Sequence, residues 1–88
     1  MITKDDFWDK CGYVTRSKNR KIVLKALDKP QTPSDLRKKT KLSMNLVSRA
    51  LRELDKKGVV ICKNPKSKMG RIYDLSELGK RIQKSLNS

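Results

Sequence analysis

Leu42-Ser43-Met44-Asn45-Leu46-Val47-Ser48-Arg49-Ala50-Leu51-Arg52-Glu53-Leu54 is the stretch on which the fold of this chain turns. Leu46, Val47, Ala50, Leu51 and Leu54 recur at helical spacing, which predicts a helix over 44–57 with one dry face. Ser43 stands where a helix N-cap belongs. Asn45, Ser48, Arg49 and Arg52 fall on the opposite face. An amide, a hydroxyl and guanidinium groups are the chemistry that reads base edges and grips phosphates. The same groups also line ordinary solvated helices, so the neighbouring sequence has to decide between the two.

Upstream, Thr32-Pro33-Ser34-Asp35 is a helix start: Thr32 caps, Pro33 fits the first helical position, and Asp35 opposes the positive end of the helix dipole. A short helix over 33–39 follows, with Leu36 as its inward anchor. Thr40-Lys41-Leu42 is a tight turn into the next helix, and two helices so joined make a helix-turn-helix. Further upstream, Ser17 caps a helix over 18–28 with a buried stripe of Ile22, Val23, Ala26 and Leu27. Lys18, Arg20, Lys21 and Lys25 are expected to face water or phosphate, Lys29-Pro30-Gln31 ends the helix, and a very short strand fits near Gln31. An N-terminal helix over 4–11 sets Phe7 and Cys11 on one face with Trp8 beside them; Trp8 either caps the core or sits in a dimer interface. Gly12-Tyr13-Val14-Thr15 is expected to break or bend the chain.

Downstream, Gly58 permits the left-handed end of the central helix. Val59–Cys62 and Arg71–Leu75 read as strands around a turn-rich loop over 64–70. Lys63, Lys66, Lys68 and Arg71 give this hairpin a basic tip. Ser76 caps a last helix over 77–86, with Leu78, Ile82 and Leu86 spaced four apart as either core or dimer contacts, and Gly79 is expected to weaken it. The expected fold is mainly α with a small antiparallel β-hairpin. It forms one domain over 1–88, with an N-terminal helix at 4–11, a helix-turn-helix plus hairpin over 17–75, and a C-terminal helix over 76–88.

Composition narrows the partner. The chain has 88 residues, with 23 Lys and Arg against 9 acidic residues, a formal net charge of +14. So much charge on so short a chain repels itself and points to a polyanion. Histidine is absent and the cysteines, Cys11 and Cys62, lie far apart, so neither a zinc site nor a disulfide framework is expected and both thiols read as reduced. No Gly-rich phosphate loop or nucleophile motif appears, so no enzyme, cofactor or small-molecule ligand is expected. No apolar run approaches a bilayer span and residues 1–6 lack a secretory pattern, which makes a cytoplasmic, nucleoid-associated location the expectation.

Leu42-Ser43, then Val47-Ser48-Arg49, Leu51, Leu54, Gly58 and Val59-Val60, resemble the recognition helix and first wing strand of bacterial and archaeal winged-helix transcriptional regulators of the ArsR and MarR type. Tyr73-Asp74-Leu75-Ser76-Glu77-Leu78-Gly79 resembles their second wing strand and following helix, and the likeness spans residues 17 to 82. The resemblance implies a winged helix-turn-helix fold, binding to double-stranded DNA, and a homodimer on a pseudo-palindromic site. Carried over by position, it implies base reading by Ser43, Met44, Asn45, Ser48 and Arg49. Met44 stands where many relatives carry a polar reader such as glutamine, which makes an apolar contact the expectation there. Leu46 stands where threonine is frequent, which suggests packing. The metal-sensing members place cysteine or histidine ligands on helices, and this chain offers only Cys11.

The expectation is therefore a sequence-specific transcriptional regulator, with helix 43–57 in the major groove and the basic wing 63–71 on backbone or minor groove. Arg52, a turn beyond Arg49, is expected on phosphate. Two other readings share the fold: a low-specificity architectural chromatin protein, and a winged helix that binds protein or RNA within a transcription complex.

Overall fold

The computed structural model describes residues 2–87; Met1 and Ser88, the ends of the expected domain, lie outside the described residues. The elements in order are α1 Lys4–Thr15, α2 Lys18–Ala26, α3 Pro33–Thr40, α4 Met44–Lys56, β1 Val60–Cys62, β2 Tyr73–Leu75 and α5 Glu77–Leu86. α4 buries Val47, Ala50, Leu51 and Leu54 and packs on α2, α3 and β1. Each of these leucines and Val47 contributes roughly 1.5–3 kcal/mol by leaving water, and this face is the centre of the core. Leu46 departs from expectation: it is 37% exposed. It sits in the first turn of α4 over a shallow groove shared with Ser17, Asn19 and Arg20, where its neighbours are polar.

The turn before α4 is built as read. Lys41 takes a left-handed conformation at φ 64°, and the Ser43 hydroxyl accepts the Leu46 N–H at 3.3 Å. At the head of α3, Thr32 and Asp35 bond reciprocally: the Asp35 N–H donates to the Thr32 hydroxyl at 3.2 Å and the Thr32 N–H to the Asp35 carboxylate at 3.1 Å. Hydrogen bonding to the carboxyl by the Thr32 backbone N–H first, and then by the Thr32 side chain, holds Asp35 below its ordinary value of 3.8. The folded carboxyl ionises more readily than the unfolded one. Its stabilisation is therefore complete above the unfolded value and fades as pH falls through the depressed folded value. Asp35→Asn is expected to flatten the fall of melting temperature between about pH 5 and 2. Parallel wild-type and variant melting curves across that range would show that the cap carboxylate contributes nothing.

α1 does not stop at residue 11. It runs through Gly12-Tyr13-Val14-Thr15 because Cys11 and Val14 are both buried on one face. Burying Val14 is worth more than the roughly 1 kcal/mol that a mid-helix glycine costs. The space where a Gly12 Cβ would sit is open, with only the Arg16 Nη2 atom at 4.0 Å. Gly12→Ala is therefore expected to stabilise the domain by about 0.5–1 kcal/mol, readable in a urea titration. A destabilised variant would contradict that reading.

α2 ends at Ala26, not at 28, and Leu24, which the stripe omitted, is fully buried while Ile22 is only half-buried. The last turn of α2 is closed from outside. Lys39 Nζ and Gln31 Nε2 donate to the Ala26 carbonyl at 2.8 and 3.1 Å, and Gln83 Nε2 donates to the carbonyls of Leu24 and Leu27, both at 2.8 Å. With those terminal carbonyls satisfied by side chains, no further turn is needed. Arg20 also departs from expectation. Its Nε and Nη2 donate to the Tyr13 carbonyl at 2.9 and 2.6 Å, its Nη1 reaches Glu53 at 3.4 Å, and its guanidinium lies 3.9 Å from the Tyr13 ring centroid. It clamps α1 and α4 to α2 instead of facing water.

The hairpin pairs Val60 with Leu75, Ile61 with Asp74 and Cys62 with Tyr73, antiparallel. It is shorter than expected: Val59, Arg71 and Ile72 lie outside the strands. The short strand near Gln31 exists as a single bridge, with Gln31 and Tyr73 exchanging N–H···O bonds of 2.9 and 2.8 Å. Cys11 and Cys62 are free thiols. Gly79 is not a weak point of α5. A Cβ there would lie 2.0 Å from the Val59 carbonyl oxygen, so glycine lets α5 pack onto the start of the wing. The α5 stripe is spent on the domain's own core, with Ile82 fully buried, Leu78 buried and Leu86 half-buried against it. Trp8 does not cap the core: it is 64% exposed, edge-on to Phe7 with ring centroids 5.3 Å apart. Among the described residues no helix is long and apolar enough to cross a membrane.

Candidate nucleic-acid interface

The outward face of α4 carries Asn45, Arg49 and Arg52, all exposed, with Ser48 half-buried beside them. Burial of Val47, Ala50, Leu51 and Leu54 fixes this face outward, because a helix cannot bury one stripe without presenting the other. The wing stands along one flank of α4. Ser48 and Arg52 of α4 line a groove with Lys68 and Arg71 of the wing, Pro33 of α3, and Tyr73. An adjoining hollow brings Met44 and Ser48 together with Ser34, Lys68, Met69 and Arg71. Five of the ten residues named from the sequence, Met44, Ser48, Arg52, Lys68 and Arg71, thus line these two hollows.

The other five are placed differently, and Asn45 is exposed on α4 without lining either hollow. Arg49 is 74% exposed and leans to the opposite flank, where its Nε lies 3.8 Å from Glu53, the carboxylate that also receives Arg20. Ser43 is occupied as the α4 cap. Lys63 lies 3.7 Å from Asp74 on the outer side of the hairpin, and Lys66 projects from the exposed loop. Arg71 is exposed but braced, its Nε donating to the Ser67 carbonyl at 2.9 Å. The loop itself is ordered by Asn64, whose side-chain oxygen accepts the Ile72 N–H at 2.7 Å while its amide donates to the Gly70 carbonyl at 3.2 Å.

The sequence reading missed Ser34 and Pro33, which bring the N-terminal end of α3 to the groove. The signal is Thr32-Pro33-Ser34-Asp35, whose spacing by itself marks only a helix start. The sequence reading also missed Ser17 and Asn19, which share the second flank with Arg49. Among the described residues, no cluster of three or more His, Cys, Asp or Glu is arranged to hold a metal ion.

No family model matches the chain, and no curated protein matches it in sequence. Solved structures do. A crystal structure of a MarR family transcription regulator superposes with a TM-score of 0.73 at 19% identity over 98% of this chain and 64% of that one, so the chain spans under two thirds of its length. The adhesin competence repressor of Streptococcus pyogenes superposes with a TM-score of 0.65 at 18% identity, over 94% of this chain and 67% of that one. With five helices, a two-stranded wing and this superposition, the chain has the winged helix-turn-helix fold in the form that MarR family regulators carry.

Proposed function

We propose that this chain is a DNA-binding transcription regulator that inserts α4 in the major groove of a duplex and lays its wing on the neighbouring backbone or minor groove. The observation that carries this reading is the groove in which Ser48 and Arg52 of α4 meet Lys68 and Arg71 of the wing, on a chain of net charge +14. Groups that read base edges and groups that hold phosphates share one face there. Asn45 is suited to adenine and Arg49 to guanine, Met44 to a thymine methyl, and Arg52 and the wing cations to phosphates. The regulators it superposes on support the same reading. A homodimer on a pseudo-palindromic site goes with it, and Trp8, exposed beside the half-buried Phe7, is apolar surface suited to that.

Selection of duplexes from a random pool tests the proposal: enrichment of a short motif repeated at a spacing of one helical turn is the expected result. Affinity equal on enriched and bulk DNA would favour an architectural protein. Absence of any duplex binding at low salt would favour a protein or RNA partner and end the proposal. Lys66→Ala with Lys68→Ala is expected to weaken binding to all sequences alike. The pair should lower the log–log salt slope by about 1.8, at 0.9 per phosphate contact. An unchanged slope in a salt titration would remove the wing from the interface.

A further inference from the structure

Among the described residues Met69 is the most exposed large apolar side chain, at 86%. It stands at the wing tip directly after Lys68 and two residues before Arg71. Gly70, at φ 65°, turns the chain immediately behind it. The tip is not loose. The Ser67 hydroxyl donates to the Met69 carbonyl, the Asn64 amide to the Gly70 carbonyl, and Arg71 Nε to the Ser67 carbonyl. The backbone that carries Met69 is therefore held before any partner arrives, so ordering it on binding costs little. Met69 lines the same hollow as Met44, Ser48, Lys68 and Arg71, so the tip stands beside the outward face of α4.

A cationic tip is drawn to phosphate, yet its most prominent group is one that phosphate cannot satisfy. Exposed methionine is unbranched, slender and polarisable, and gains by sliding between flat apolar surfaces. On a nucleic-acid duplex the apolar surfaces are the faces of stacked bases, reached from the minor groove once a base step opens. Lys68 and Arg71 flank Met69 as a pair of cations suited to the phosphates on either side of such a step.

We infer that Met69 is a minor-groove wedge: it enters a base step beside the α4 site, partly unstacks it and bends the DNA, with Lys68 and Arg71 gripping the flanking phosphates. This rests on the proposed duplex binding and adds a specificity device to it. Selectivity would arise at a position with no hydrogen-bonded base contact, because pyrimidine–purine steps such as TA open more easily than A-tract steps.

The test uses the full chain and doubly end-labelled duplexes carrying the selected site, with either a TA step or an A-tract at the flank the wing reaches. Energy transfer reports the bend and 2-aminopurine at the step reports unstacking. Wild type is expected to bend the TA duplex by roughly 20–90° and to raise 2-aminopurine fluorescence. Met69→Ala is expected to lose both signals and about tenfold in affinity for the TA duplex, with little change on the A-tract. Met69→Leu, which keeps an apolar wedge, is expected to restore most of the bend. Met69 makes no core contact, so folding is not at issue in these variants. Duplex binding without a bend, or a bend that survives Met69→Ala, would overturn the wedge and leave the proposed function standing. No duplex binding at all would remove the proposed function and the wedge with it.

Discussion

Gly79→Ala is expected to lower the unfolding free energy by about 3 kcal/mol. The added methyl would lie 2.0 Å from the Val59 carbonyl oxygen and 3.1 Å from its carbon, both backbone atoms that cannot swing aside. That oxygen also accepts the Ser76 N–H at 3.0 Å and the Ser76 hydroxyl at 2.8 Å, so moving it disturbs the cap of α5 as well. The usual preference for alanine over glycine in a helix, about 1 kcal/mol, acts the other way and is outweighed. For a small domain the loss is a large share of total stability, and a chemical denaturation curve measures it. A Gly79→Ala midpoint equal to or above wild type would mean that α5 and the wing can separate without cost, and would undo the packing described for them.

The second large effect concerns binding. Asn45→Ala combined with Arg49→Ala is expected to remove roughly 2–6 kcal/mol of discrimination between selected and random duplex, at 1–3 kcal/mol for each base-reading pair. Both side chains are exposed, and Arg49 contributes only a weak surface pairing with Glu53 to the fold, so the variant should melt near wild type. Affinity for random duplex should fall far less, because the wing cations and Arg52 remain. Fluorescence anisotropy on both duplexes decides the matter. An equal loss on the two would make these residues phosphate contacts and strip α4 of its reading role.

Much of this fold is legible in the sequence. The caps are short-range devices written in consecutive residues, and Ser17, Thr32, Ser43 and Ser76 each start the helix that the sequence assigns to them. The α4 stripe was legible for the same reason. Several of the failures are cases in which tertiary packing decides. Gly79 reads as a helix weakener until Val59 is seen against it. Arg20 reads as a surface cation until the Tyr13 carbonyl and Glu53 are found around its guanidinium. Gly12 reads as a breaker until Val14 is buried beyond it. At the candidate interface, the polar face of α4 could be listed from its spacing. Its division into a wing flank with Ser48 and Arg52 and an α2 flank with Arg49 could not, because it depends on where the wing and α2 come to rest.

The bonds from Gln83 to Leu24 and Leu27 join positions 59 and 56 residues apart. During synthesis the chain leaves the ribosome from its N-terminal end, so α2 emerges long before the side chain that closes its last turn. Until Gln83 clears the exit tunnel, the end of α2 must rely on water, Gln31 and Lys39. A chain held to the ribosome by a linker long enough to clear the tunnel, and ending within the wing, would thus carry the helix-turn-helix without its final latch; linked chains ending just before and just after Gln83 should divide frayed from settled forms of the same domain.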